Sequence, residues 1–229
     1  MIYPKFLSQQ TQLELIQEVF ARHASNSTTG TATNIHTTGS TSTVSQTMSL
    51  GISCGASLDT ILPLAVQQSR LLFSRAALES SHSHQPSSER ILVHLASNNT
   101  TLTGIALLYG PNAIMLPHYD APTQHGQKEE WLCMMTMGSN VDFILDDAVI
   151  TMKAGDCLVM DSMSTKHGVQ RIWSDDDDNV PLVLPIQGSR LGILLWEGKN
   201  NTDNTTVTTG TKSQPEAQVD GIDLLFGDE

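Results

Sequence analysis

"WLCMMTMGSNVDFILDDAVITMKAGDCLVMDS", residues 131–162, alternates short apolar runs with the turn signals Gly138-Ser139-Asn140, Asp146-Asp147 and Gly155-Asp156. Runs of this length bounded by Gly, Asn, Asp and Ser read as strands. The same texture continues on both sides. "RILVHLA" (90–96) and "TGIALLYG" (103–110) precede the stretch, and "HGVQRIW" (167–173), "PLVLPI" (181–186) and "RLGILLWE" (190–197) follow it. Many short strands at this spacing predict a sandwich or a barrel. Trp131 and Trp173 read as sheet anchors, and Met134, Met135 and Met137 as core fillers.

Outward from that core the composition shifts. In residues 1–24, Leu13, Ile16, Val19 and Phe20 recur at helical spacing behind Ser8, a suitable N-cap, which predicts a helix over about 9–23 lying on one face of a sheet. Residues 25–57 are almost all Ser, Thr, Gly and Asn, too polar to offset the entropy of ordering, and are expected to be a flexible loop. Residues 58–90 are expected to hold a helix, capped by Ser57 or Asp59 and interrupted at Pro63, and then a polar link. The strand-rich domain is expected to span 91–198. The acidic tail, 199–229, reads as disordered; its Ile222–Phe226 segment is either a docking motif for a partner or an unstructured end.

The formal charge of −12 leaves no general basic field, so strong nonspecific nucleic-acid binding is not expected. Cys54, Cys133 and Cys157 are an odd number at wide spacing, which fits neither a disulfide framework nor a zinc knuckle. The chain also lacks a signal-like start and any run near the ~20 apolar residues that span a bilayer. A soluble intracellular protein, of cytoplasm or nucleus and without a membrane partner, is the expectation.

His118-Tyr119-Asp120 ends an apolar run. In a strand, side chains at i and i+2 share a face about 7 Å apart, so His118 and Asp120 can turn to one ion while Tyr119 faces away. His-x-Asp alone is a weak pattern, and a lone histidine is commonly just a satisfied surface or core residue. His167, 47 positions after Asp120, can return to the same mouth after several antiparallel strands. Two histidines and a carboxylate on one face make the facial triad of non-haem Fe(II), which leaves positions open for co-substrate and dioxygen. Arg190 is the basic residue of a late apolar strand. It would dock the distal carboxylate of 2-oxoglutarate or, equally, pair with Asp142, Asp156 or Asp161.

Taken together, "LLYGPNAIMLPHYD", "AGDCLVM", "KHGVQRI" and "RLGILLW" resemble the core of the AlkB-like Fe(II)/2-oxoglutarate dioxygenases. That core reads Tyr-x-Pro-Gly, then His-x-Asp, Gly-Asp before a strand, His-Gly-Ile/Val, and a final Arg-x-Asn-x-Thr-x-Arg strand. The resemblance covers roughly residues 2–23 and 104–197. It implies a mainly β protein with flanking helices and a double-stranded β-helix (jelly-roll) core. His118, Asp120 and His167 would ligate iron, while Tyr109 and Arg190 would bind 2-oxoglutarate. Its implied activity is oxidation by dioxygen of a substrate C–H bond, including demethylation of a methylated macromolecule or small molecule. Asn112 stands at the turn glycine, where asparagine is the next best residue for a left-handed conformation.

The departures bear on substrate. Gly192, Leu194 and Trp196 replace the family's Asn, Thr and second Arg, and Leu107 replaces an Asn before the tyrosine. Lys153 or Lys166 is the candidate replacement for that second cation. Residues 25–100, where nucleic-acid demethylases carry a base-stacking lid, hold one aromatic, Phe73, and three arginines, Arg70, Arg75 and Arg90. Pro122 stands where those enzymes often place a base-reading residue. Asp175–Asp178, expected beside the mouth, would repel phosphates. His125 reads as solvated, and His82 and His84 lack a third ligand. Family frequency favours nucleic acid, and the charge and the thin lid favour protein or a small molecule. The alternative is a jelly-roll binding or scaffold protein without turnover, using the acidic loop and tail as interaction surfaces.

Overall fold

Along the strand Arg190–Glu197, Leu191, Ile193 and Leu195 enter one apolar core while Leu194 and Trp196 enter another. Pleating sends successive side chains to opposite faces, so a strand apolar on both sides belongs to a sheet covered on both sides. The computed structural model describes residues 1–28, 47–49, 62–82, 86–120, 129–173, 184 and 186–198. In chain order these form β1 (Ile2–Tyr3), α1 (Gln9–Thr28), β2 (Thr47–Ser49), α2 (Pro63–His82), α3 (Pro86–Ala96), β3 (Leu102–Tyr109) and β4 (Met115–His118). There follow β5 (Trp131–Gly138), β6 (Asn140–Leu145), β7 (Ala148–Met152), β8 (Cys157–Asp161), β9 (His167–Trp173) and β10 (Arg190–Glu197).

The strands make a six-stranded sheet, β1-β8-β5-β10-β3-β2, and a four-stranded sheet, β4-β9-β6-β7, with every pairing antiparallel. From β3 to β10 each successive strand changes sheet except β6 and β7, which pair as a hairpin within the four-stranded sheet; the expected jelly-roll core with flanking helices is the observed fold. One core lies between the sheets and includes Leu132, Met134, Phe143, Met152 and Met160. The other joins the six-stranded sheet to the helices through Leu15, Val19, Leu72, Phe73, Cys133 and Met135. Met134, Met135 and Met137 are core fillers as expected. Cys133 and Cys157 are buried free thiols, and burial pushes Cys133 up to about 12; Cys54 lies outside the described residues.

The outer face of the four-stranded sheet carries a polar cluster around Asp142. Asp142 accepts from Arg171 Nε (2.5 Å), Thr151 Oγ1 (2.8 Å) and Trp173 Nε1 (3.1 Å) on its neighbour strands. In β9 the ladder slips between Asp142↔Arg171 and Phe143↔Val169, so Gln170 and Arg171 both face out while Val169 and Ile172 stay in the core. That bulge explains why "HGVQRIW" is not a clean alternation.

The helical layer departs from the sequence expectations in several places. Ser8 caps α1 by accepting the Thr11 N–H (3.1 Å), but the helix runs to Thr28 rather than ending near 23. Thr47–Ser49, inside the stretch expected to be loop, pairs with β3. Pro63 does not interrupt α2 but begins it, where its missing N–H costs nothing. The N–H groups of Leu64 and Ala65 are capped by the Glu18 carboxylate (3.1 and 3.4 Å), a partner from another helix; Ser57 and Asp59 lie outside the described residues. "RILVHLA", expected as the first strand, belongs to α3, with Leu92 and Leu95 buried and Val93 exposed. A short apolar run does not distinguish helix from strand by periodicity, so the strand-rich core begins at Leu102 and not at 91. No helix among the described residues is long and apolar enough to cross a membrane.

Candidate metal centre

β4 and β9 lie side by side, and His118 stands directly opposite His167. From the pair Met115↔Val169 to the pair His118↔His167, β4 takes three residue steps (118 − 115) and β9 two (169 − 167), so β4 is bulged. Just beyond the strand, the Asp120 N–H donates to Ser162 O at 3.1 Å, which turns the chain and brings the carboxylate back. Asn112, in the turn entering β4, has φ +62°, the left-handed conformation its place in the sequence suggested.

The ligand atoms of His118, Asp120 and His167 all lie within 4.8 Å of one another. Asp120 Oδ1 is 3.5 Å from His118 Nε2 and 3.7 Å from His167 Nε2. Two metal bonds of ~2.1 Å at a right angle would place their ligand atoms ~3 Å apart, so these separations are close to a closed site. Each imidazole is aimed from behind. Nδ1 of His118 is 2.9 Å from Leu116 O and Nδ1 of His167 is 2.9 Å from Thr165 O. A carbonyl only accepts, so each Nδ1 carries the proton and each Nε2 of a neutral ring presents a lone pair. Phe143 stacks on His167 at 6.3 Å and 21°. The His167 side chain is 5% exposed against 41% for His118 and 35% for Asp120, so the cluster is walled on one side and open on the other.

The charges suit a cation. Burial pushes the Asp120 carboxyl up, but its bond to His118, the charge of His167 and a bond to Ser162 outweigh that and hold it below the usual range. Burial holds His167 down and favours the neutral, ligating form. The bond to Asp120 raises His118, against the opposing effect of burial. The residues therefore fit a divalent metal.

At the other end of the space between the sheets, Arg190 and Tyr109 face each other across β10 and β3. Arg190 is 3% exposed; its Nη1 donates to Ser139 O (3.1 Å) and Met152 O (3.3 Å), and its buried Nη2 has no partner. Burial pulls the guanidinium down, opposed by Tyr109, Asp156 and Cys157. The phenol of Tyr109 is pushed up to about 12 by its own burial. The salt-bridge alternatives for Arg190 are not realised among the described residues. Asp142 is taken by Arg171, Asp156 by the N–H groups of Lys5 and Lys153, and Asp161 by those of Glu130 and Met163 and the Ser164 hydroxyl. A buried cation with an open donor is costly, and it fits a carboxylate. Two residues along the strand, a Cβ on Gly192 would meet Leu194 Cδ1 at 3.7 Å and Tyr109 Cε2 at 3.8 Å, ordinary contact without a clash.

Leu107, Leu194 and Trp196 pack into the core between the sheets, so an apolar wall stands where the resemblance has its Asn, Thr and second Arg. Lys153 and Lys166 are both exposed and do not replace that arginine in the interior. Asp175–Asp178, expected beside the mouth, lie outside the described residues. Pro122, His84, His125 and Ile222–Phe226 also lie outside the described residues, and His82 is the last residue of α2. The carbonyls of Leu116 and Thr165 escaped the sequence reading, because a backbone acceptor leaves no trace in residue type.

OsALKBH1 aligns over 86% of this chain and 96% of its own, with TM-score 0.55 and 15% identity. The chain has the fold of OsALKBH1. A Pseudomonas putida prolyl-4-hydroxylase aligns over 87% and 92%, with TM-score 0.46 and 16% identity. No protein-family model and no curated protein matches the sequence.

Proposed function

We propose that the protein is an Fe(II)- and 2-oxoglutarate-dependent dioxygenase that hydroxylates a substrate C–H bond. What carries the reading is one interior that holds an open His118-Asp120-His167 cluster and a buried guanidinium with an unused donor. The likeness of fold to OsALKBH1 agrees with it. Bound iron and 2-oxoglutarate would supply the oxidation, with dioxygen and 2-oxoglutarate giving succinate, carbon dioxide and a hydroxylated product. Where the carbon is an N-methyl, the hydroxylated product breaks down to formaldehyde and the amine.

The protein's own residues do the rest. His118, Asp120 and His167 would hold the metal on one side and leave the opposite side for ligands. Arg190, with Tyr109 beside it, would orient the distal carboxylate of the co-substrate. Phe143, Leu194 and Trp196 keep the intervening space apolar and exclude water.

For the substrate we favour a methylated protein or small molecule over nucleic acid. Phe73, the aromatic of the segment ahead of the jelly roll, is fully buried and unable to stack on a base. Arg70 is committed to the carbonyls of Ser97 and Thr100, and Arg75 to Glu79 and the Tyr3 ring. Exposed Leu116 and Tyr119 flank His118, an apolar rim at odds with phosphate recognition.

Trp196 at the position of the second arginine favours a second reading, a binding protein that kept the fold without turnover. One experiment separates them: anaerobic titration with Fe(II) and 2-oxoglutarate, then succinate release in air, alongside His118→Ala and Arg190→Ala. The dioxygenase releases succinate that both variants abolish; metal-dependent succinate absent from the intact protein leaves the binding reading. Stimulation of that release by methylated peptide rather than methylated oligonucleotide would support the substrate class.

A further inference from the structure

The strand that carries His118, β4, lies very close to β9. A Cβ placed on Gly168 would stand 2.7 Å from Met115 O and 3.0 Å from both N and Cα of Pro117. All three are backbone atoms of the strand that carries His118, so no rotamer change relieves the clash. An unstrained C···O contact needs ~3.3 Å, and any side chain at 168 would push β4 outward by roughly 0.6 Å. The contact falls inside the bulge, between the pairs Met115↔Val169 and His118↔His167. His167 would stay where it is, held by Thr165 O and Phe143.

We infer that Gly168 is a positioning residue for the metal centre: its missing side chain lets bulged β4 close on β9 and sets His118 opposite His167. This rests on the metal-centre reading. Ligand constellations tolerate displacements of only ~0.5 Å, so the expected shift is enough to detach one ligand. His167 and Gly168 thus work as a pair, the first offering a ligand and the second admitting its partner.

The test is a double-mutant cycle on the full chain, with Co(II) as the probe, read by its absorption spectrum and by calorimetric affinity. The variants are Gly168→Ala, His118→Ala and the two combined. Gly168→Ala is expected to weaken Co(II) binding about 10- to 100-fold, the range for loss of a group that orients a ligand, and to give a spectrum like that of His118→Ala. The combined variant is expected to bind within about threefold of His118→Ala alone, because both changes remove the same ligand. Losses that multiply, or a Gly168→Ala protein that binds like the wild type, overturn the inference while leaving the metal centre intact. A wild-type chain that binds no Co(II) instead sinks the metal reading itself. Amide hydrogen exchange covers the case of poor folding. Positioning predicts lost protection confined to Met115–Asp120, and loss throughout both sheets would make Gly168 a general folding residue and overturn the inference.

Discussion

The two ends of the space between the sheets are built on opposite terms. At the metal end the polar groups nearly satisfy one another: Asp120 lies 3.5 and 3.7 Å from two imidazoles, each held from behind by a carbonyl. At the deep end Arg190 has two carbonyl acceptors, an unpartnered Nη2 and no ion pair among the described residues. The first arrangement is tolerable with or without a ligand, because its carboxylate and histidines share charge. The second leaves a buried cationic donor without an acceptor. A candidate metal site is thus read from donors that converge, and a candidate anion pocket from a buried donor left without an acceptor.

The largest expected effect tests whether the ends act separately. Asp120→Ala removes the anionic ligand and is expected to weaken Fe(II) or Co(II) binding by more than about 100-fold, on the scale of a lost charged ligand. Arg190→Met is expected to leave metal affinity within about threefold and to abolish calorimetric binding of 2-oxoglutarate to the metal-loaded protein. The stability change at Arg190 should stay within ~1 kcal/mol, because two lost hydrogen bonds are offset by removal of an incompletely paired buried cation. A coupled loss, with Arg190→Met emptying the metal site as well, would break the division.

The same division governs what the sequence disclosed. The convergence of His118, Asp120 and His167 could be anticipated because ligand chemistry needs particular residue types, and the strand alternation "RLGILLW" sends Arg190 to the face of Leu194 and Trp196. The bulges in β4 and β9 were not legible; they depend on which strand faces which, a long-range pairing no local pattern encodes. "RILVHLA" was misread because a seven-residue apolar run fits either a strand or α3, and packing against α2 decided it. The cap of α2 was missed for the same reason, since Glu18 precedes Leu64 by 46 residues.

A smaller effect separates the ends by pH. A histidine must lose its proton to ligate, and Asp120 makes His118 hold its proton into the range above the usual 6.5. His167, held down by burial, is neutral before that window begins, and Asp120, held down, is already charged. Co(II) affinity should therefore rise with pH from about 6, approaching tenfold per unit for one released proton, and level off once His118 is neutral. Affinity for 2-oxoglutarate measured on the metal-saturated protein should stay flat over the same window, because Arg190 keeps its charge there. A parallel slope in both curves would mean that one titrating group serves both ends.

The smallest expected effect lies within the deep end. Tyr109 sits opposite Arg190 in the β3–β10 ladder, with its ring beside Gly192. If its hydroxyl donates to the same carboxylate that takes Nη2, Tyr109→Phe removes one hydrogen bond worth ~1 kcal/mol. The affinity for 2-oxoglutarate should then fall about fivefold, with metal binding and melting temperature unchanged. Calorimetry on the Co(II)-loaded protein reads this directly. Unchanged affinity would assign the whole anion site to the Arg190 fork. A loss as large as that of Arg190→Met would instead make the tyrosine a structural support of the guanidinium. The fivefold outcome alone fits a carboxylate seated between the two side chains, where the buried cation carries most of the attraction and the phenol fixes its direction.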